Sequence, residues 1–208
     1  DVKNFGATFA EKGNNISITG AVQIGQGFNK YEDSRVEEQQ ILSPFRDGTK
    51  DADNDGEGGK SKQSTLGTKI VSNEAHYVYP FVINPQAYKE YEELGVTQGY
   101  TQEDYDKFKR TSMVAATSYA TNAKVGCENE LAVFIETKPD LYLPNLSEYV
   151  TFSKRDGKNQ ITLTFDTLLN ELQDSILSVE IYYNPYTTEL VQNIQKAVLY
   201  NIFTQKEV

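Results

Sequence analysis

The stretch ITLTFDTLLNELQDSILSVEIYYNPYTTELVQNIQKAVLYNI, residues 161–202, decides the fold class. Ile161, Leu163 and Phe165 alternate with Thr162 and Thr164, the period-two pattern of a half-buried strand. Leu168, Leu169, Leu172 and Ile176 then recur at helical spacing. Val179–Tyr183 returns to a strand, and Asn184-Pro185 breaks it, because proline has no N–H for a ladder. Beyond it Thr188 stands at an N-cap position, and Leu190, Val191, Ile194, Val198 and Ile202 predict a final helix. Strand, helix, strand, helix in this order predicts an α+β sandwich, a sheet covered by helices on one face.

Upstream, Leu131–Glu136 reads as a short apolar strand. Thr101 with Asp104 three residues on reads as a helix start. Tyr105, Phe108, Met113 and Ala116 share one face of that helix. Glu103 and Asp104 in its first turn, with Lys107, Lys109 and Arg110 later, suit the helix dipole. His76–Ile83 is a Tyr- and Val-rich strand that stops at Asn84-Pro85. Residues 47–64, DGTKDADNDGEGGKSKQS, can bury no face and read as a flexible loop. Asp51, Asp53, Asp55 and Gly56 resemble the opening of a calcium loop, but the twelfth position, where a bidentate Glu belongs, is Lys62. A solvated loop is the better reading.

At the start, Val2–Phe9 predicts a strand with Gly6 inside it, and Asn15–Ile24 a second one after the Lys12-Gly13-Asn14 turn. Two strands around a short Gly/Asn turn suggest a hairpin. The interior glycines, Gly6 and Gly20, suggest a bulge or a close approach of backbones. The organisation expected is one domain over residues 1–208 with a flexible insertion at about 44–64. No internal repeat is visible.

The chain of 208 residues carries 20 Lys+Arg against 30 Asp+Glu, a net charge of −10. That excludes a protein basic all over, though not a local basic groove. Residues 1–70 are nearly balanced, with 9 basic and 11 acidic side chains. No apolar run approaches the roughly 20 residues of a membrane helix. One Cys and one His exclude an internal disulfide and a zinc site, and fit a reducing cytoplasm. The chain starts at Asp1 and runs straight into a strand-like pattern, which suggests that residues are missing upstream.

Catalysis finds little support. His76 is the only imidazole, and it sits at the start of a strand. Cys127, in VGCENE, lies beside Glu128 and Glu130 and lacks the electropositive setting of a reactive thiol. No phosphate-loop motif is present, and Gly20, Gly25 and Gly27 lack the dinucleotide-binding spacing. A nucleic-acid reading starts from three Gly-rich segments: Gly20–Lys30 (GAVQIGQGFNK), Ser64–Lys69 (STLGTK) and Ser118–Gly126 (SYATNAKVG). There glycines let backbones approach, and Asn, Gln and Lys can hold phosphates. The plainer alternative is polar turns in a mixed fold.

The order of these segments resembles a known family. Asp1-Val2-Lys3-Asn4-Phe5-Gly6-Ala7 resembles its DVRxFGA strand, and Ile18-Thr19-Gly20-Ala21-Val22-Gln23 its xxGPVQ turn. Ser64-Thr65-Leu66-Gly67-Thr68-Lys69 resembles its xTMGxK element, followed by a Tyr-rich strand ending in Ile83-Asn84-Pro85. Ala120-Thr121-Asn122-Ala123-Lys124-Val125-Gly126 resembles its xRSxxxG region. The family is the Cas-seven backbone subunit of the CRISPR-associated RAMP superfamily, closest to its subtype I-B-like branch with subtype I-C relatives. The matches run in order over residues 1–136.

The resemblance implies an α+β, RNA-recognition-motif-like (ferredoxin-like) core with inserted loops, whose first strand and helix are missing here. It implies a cytoplasmic, non-enzymatic subunit of a type I Cascade complex for antiviral defence. Copies would form a homo-oligomeric filament along the guide RNA (crRNA), beside other Cascade subunits, and leave bases free to pair with target DNA. Lys3, Lys69 and Lys124 would contact phosphates. Gln23, Asn29 and Thr68 would hydrogen-bond phosphate or sugar, and Gly20 and Gly67 would let the backbone approach. No cofactor, metal or membrane is implied. Ala21 stands where the family has Pro, Lys3 where it has Arg, and the basic cluster near residue 122 is reduced to Lys124. Two rivals are a target-RNA ribonuclease using Asp47, Asp51, Asp53 or Asp55, and a secreted calcium-binding or adhesive β-rich module.

Overall fold

Val179–Tyr183 is apolar at almost every position because the strand it belongs to is covered on both sides. A computed structural model describes residues 1–11, 13–42 and 66–208. They fall into two units, one of Asp1–Lys30 with His76–Val208, the other Tyr31–Ala75.

The first unit opens with a single helical turn, α1 (Val2–Phe5), and strands β1 (Ala7–Glu11), β2 (Asn14–Ile18), β3 (Val22–Ile24) and β4 (Phe28–Asn29). The second unit contains β5 (Val36–Leu42) and β6 (Leu66–Ser72), an antiparallel pair. The chain returns to the first unit with β7 (Tyr77–Val78), β8 (Phe81–Ile83), a 3-10 turn (Pro85–Tyr88) and α2 (Lys89–Glu93). Next come α3 (Gln102–Ser112), α4 (Ala115–Ser118), β9 (Leu131–Thr137), β10 (Val150–Arg155), β11 (Lys158–Leu163), α5 (Asp166–Glu171), β12 (Ile176–Tyr183), β13 (Thr188–Val191) and β14 (Ala197–Asn201). The fold is mixed α and β, as expected.

Two three-stranded sheets hold the first unit, ordered β14-β12-β9 and β10-β11-β13. Val150, Ile161, Leu163, Phe165, Leu169, Val179 and Ile181 form one buried cluster, which joins β10, β11 and α5 to one face of β12. Phe134, Tyr182, Met113 and Ile202 form another on the opposite face. Burial on both faces accounts for the apolar residues on both sides of β12, which Glu180 interrupts.

The N-terminal hairpin is present, with Phe9 opposite Ile16. The expected strand at Val2–Phe9 is corrected: residues 2–5 make one helical turn, and Gly6 at φ 78° redirects the chain into β1. The strand expected at His76–Ile83 is split at Pro80, where Gly25 N–H donates to the Pro80 carbonyl (2.7 Å). The helix expected to run to Ile176 stops at Glu171, and Ile176 opens β12.

The largest correction lies at the C-terminus. No helix follows Thr188; β13 pairs in parallel with β11, and β14 in parallel with β12. Leu190, Ile194, Val198 and Ile202 are spaced by four, which fits a helix, but it also fits two short strands with a turn between them. Open strand edges on β11 and β12 decide between these readings, because a paired edge satisfies backbone groups that a helix would leave bare.

The helix start at Thr101 is as expected. Thr101 Oγ1 accepts from Asp104 N–H, and Asp104 Oδ2 accepts from Thr101 N–H (3.0 Å). Phe108 and Met113 are buried on its inner face, whereas Ala116 lies on α4 and is exposed. The stretch 47–64, with Asp51, Asp53 and Asp55, lies outside the described residues. No helix among those described is long and apolar enough to cross a membrane.

Candidate functional site

The sequence at residues 1–23 folds into a backbone crossing. A Cβ placed on Gly20 would lie 2.2 Å from the Asn4 carbonyl oxygen and 2.4 Å from the Gly6 nitrogen. A Cβ on Gly6 would lie 2.2 Å from the Ile18 oxygen. Only glycine permits two segments to pass this closely. Ala21 N–H donates to the Lys3 carbonyl (3.0 Å), and Asn84 N–H to the Ala21 carbonyl (2.8 Å), so the crossing is also tied to the end of β8.

Side chains pin α1 from the other side. The Tyr88 hydroxyl lies 3.2 Å from the carbonyl oxygens of both Val2 and Lys3. The Tyr100 hydroxyl donates to Asn4 Oδ1 (2.9 Å). Lys3 Nζ meets Asp104 Oδ2 at 2.9 Å. The Thr101 backbone N–H and the Lys3 ammonium hold the Asp104 carboxyl well below its ordinary value, at about 2.

Three of the expected site residues meet here. Lys3 sits in α1, Gly20 at the crossing, and Gln23 Nε2 donates to the Gly20 carbonyl (3.0 Å). Gln23 is exposed, whereas Gly20 is buried. Asn29, on β4, accepts from His76 N–H (2.9 Å), and Lys30 N–H donates to the His76 carbonyl (2.8 Å). That pairing closes the first unit where the chain leaves it and returns. Gly67, Thr68 and Lys69 lie on β6 in the second unit, opposite Ile41, Gln40 and Gln39. Gly67 has open space: a Cβ there would come no nearer than 3.8 Å to Ile41. Lys124 stands apart on an exposed turn, where its N–H donates to the Thr121 carbonyl (2.9 Å).

One polar cluster was not foreseen. Glu130, just before β9, faces His76 Nδ1 at 2.7 Å through Oε2. Its Oε1 accepts from Asn159 Nδ2 (2.6 Å) and from the Thr188 hydroxyl (2.7 Å). Burial pushes the carboxyl up, but the bonds from His76, Thr188 and Asn159 outweigh it and hold the group below its ordinary value. His76 stacks on Phe152 with ring centroids 3.6 Å apart. The Thr188 hydroxyl is buried and already donates to the carboxylate, so it is a brace rather than a nucleophile. The cluster joins segments 76, 130, 159 and 188, a juxtaposition that no sequence spacing announces.

A second cluster anchors α3. The Lys109 ammonium pairs with Glu180, with the rings of Phe134 and Tyr182 at 5.3 and 5.4 Å. Burial and the Glu180 acceptor raise the Tyr182 hydroxyl. Cys127 is free and exposed. Among the described residues no group of three or more His, Cys, Asp or Glu could hold a metal ion.

No curated protein matches the chain. The family described as CRISPR-associated protein Cas7 matches residues 1–169, well over half of the 208 residues. The chain belongs to the CRISPR-associated Cas7 family.

Proposed function

We propose that this chain is a guide-RNA-binding backbone subunit of a type I Cascade complex, of the subtype I-B-like branch, acting in the cytoplasm in antiviral defence. Family membership over residues 1–169 is the observation that carries this reading. Its core is RNA-recognition-motif-like, and copies assemble side by side on the RNA. Sequence is read by base pairing between guide and target DNA, while the protein grips the backbone.

The local geometry supports separate roles for the site residues. Gly20, itself buried, lets the chain's own backbones cross, and the exposed Gln23, whose amide holds the Gly20 carbonyl, stands at the surface of that crossing. Lys124, on its exposed turn, and Lys69, with Gly67 and Thr68 on β6, supply charge and hydrogen bonds to phosphates. Lys3 keeps two ammonium donors beyond its bond to Asp104, and Asn29, whose Oδ1 accepts from His76 N–H, lies on β4. The subunit works by binding: Glu130 is committed to His76, Asn159 and Thr188.

The test is a guide-RNA titration of the full chain across a salt series, beside Lys69→Ala and Lys124→Ala. Binding that weakens steeply with salt, with a slope shallower by about 0.7 in each variant, is expected. Salt-insensitive binding, or variants equal to the wild type, would refute the assignment.

A further inference from the structure

The short helix α2 ends on a cap that holds apolar side chains away from the core. Gly95, at φ 69°, takes the left-handed step that closes the helix, and its N–H donates to the Glu92 carbonyl (2.9 Å). Val96 N–H donates back to the Tyr91 carbonyl and Leu94 N–H to the Glu90 carbonyl, both at 3.1 Å. These bonds satisfy carbonyls that the helix end would leave open, so the cap has a fixed shape. Leu94 is nevertheless 74% exposed and Val96 70%. A single exposed Leu is ordinary on any surface. Two large aliphatic side chains on one fixed cap, beside the exposed ring of Tyr91, form a patch that gives the fold no burial and fits a partner.

The charges at this cap run against the helix. Glu90 and Glu93 lie three residues apart and Leu94 four from Glu90, so the three share one side of α2. Glu92 and Glu93 end the helix, and no basic residue stands in its last turn. A helix C-terminus already carries partial negative charge, so carboxylates there cost stability. In α3 the order is the reverse: Glu103 and Asp104 open the helix, and Lys109 and Arg110 close it. Lys89 begins α2, but the three carboxylates outnumber it, and among the described residues no ion pair joins it to them. The next lysines along the chain, Lys107 and Lys109, pair with Glu103 and Glu180. An acidic rim around apolar side chains repels phosphates and anionic membrane surfaces and attracts Lys and Arg.

We infer that the cap of α2 is a docking site for a different protein, through a basic segment of that protein that carries apolar side chains. Leu94 and Val96 seat against its apolar side chains, and Glu90 and Glu93 pair with its Lys or Arg. A second copy of this chain is the poorer occupant, because two chains of net charge −10 repel each other. The site does not rest on the guide-RNA reading. The experiment titrates the full, isotope-labelled chain with an amphipathic Lys/Leu peptide as the probe, beside a Lys/Ser peptide of equal charge, and follows NMR shift changes and fluorescence anisotropy. Shift changes from the Lys/Leu peptide should centre on residues 89–98, and the Lys/Ser peptide, which lacks apolar anchors, should bind about tenfold more weakly. The Leu94→Ser/Val96→Ser double variant should lose about tenfold in affinity for the Lys/Leu peptide. The Glu90→Gln/Glu93→Gln double variant should lose about fivefold, with a weaker salt dependence. All four side chains are exposed, so both variants should keep the melting temperature of the wild type. Guide-RNA binding should be unchanged in both. A wild type that binds neither peptide, equal binding of the two peptides, or variants that bind as the wild type does would each overturn the inference. So would shift changes confined to other acidic surfaces, or sedimentation in which the variants lose self-association and keep the peptide, which would make a second copy the occupant.

Discussion

The crossing at residues 4–6 and 18–23 and the exposed turn at 118–126 are built in opposite ways. At the crossing, backbone meets backbone with no room for a methyl group, and Tyr88, Tyr100 and Asp104 clamp α1 in place. In the turn, residues 119–126 are all exposed, and local bonds such as those from Lys124 and Val125 to the Thr121 carbonyl hold it. The first region can present main chain at a fixed position and cannot adapt. The second can reach and adapt, and has little part in stability. The proposed grip on a guide-RNA backbone would draw on both, so substitutions should separate folding from binding.

The sharpest way to break this contrast is Gly20→Ala. With a Cβ 2.2 Å from the Asn4 oxygen, the crossing must open, and a loss of about 3 kcal/mol is expected in a denaturant titration. Gly67→Ala, whose Cβ meets nothing nearer than 3.8 Å, should stay within about 0.5 kcal/mol. Equal effects would show that the crossing is not rigid.

Glu130→Ala should cost about 2–3 kcal/mol in the same measurement. It strands the donors of Asn159, Thr188 and His76, which the carboxylate now satisfies. Removing Phe152, which stacks on His76, would sharpen the point if its effect proves non-additive with that of Glu130→Ala.

Asp104→Asn should cost about 1 kcal/mol, a figure discounted because the Lys3 side chain is 41% exposed. The carboxyl is depressed from 3.8 to about 2, so its contribution is complete above pH 3.8 and is lost as pH falls toward 2. The variant and the wild type should therefore converge in stability between those two values, as read by thermal melts across pH.

Lys124→Ala should have the smallest effect on melting, within about 0.5 kcal/mol, while weakening guide-RNA binding. A large stability loss there would erase the distinction between the two regions.

How much of this the sequence carried depends on range. The hairpin, the capping box at Thr101 and the stop at Asn84-Pro85 are local, and each was legible. The glycine crossing was legible in part, since interior glycines predict close approach without naming the partner. The C-terminal strands were not legible. Thr188–Ile202 carries a spacing that suits a helix, and only the open edges of β11 and β12, built from distant residues, turn it into strands. The Glu130 cluster was hidden for the same reason, because its members lie 29 to 58 residues from Glu130 along the chain. Of the expected contacts, Lys3, Gly20 and Gln23 meet at the crossing. Asn29 is engaged by the His76 backbone, and Lys124 stands on its own turn.

The most direct test of the central claim is native mass spectrometry of the full chain mixed with guide RNAs of increasing length. A backbone subunit predicts several copies per RNA, with the number rising in even steps as the RNA lengthens. One copy whatever the length, or no complex at all, would contradict it.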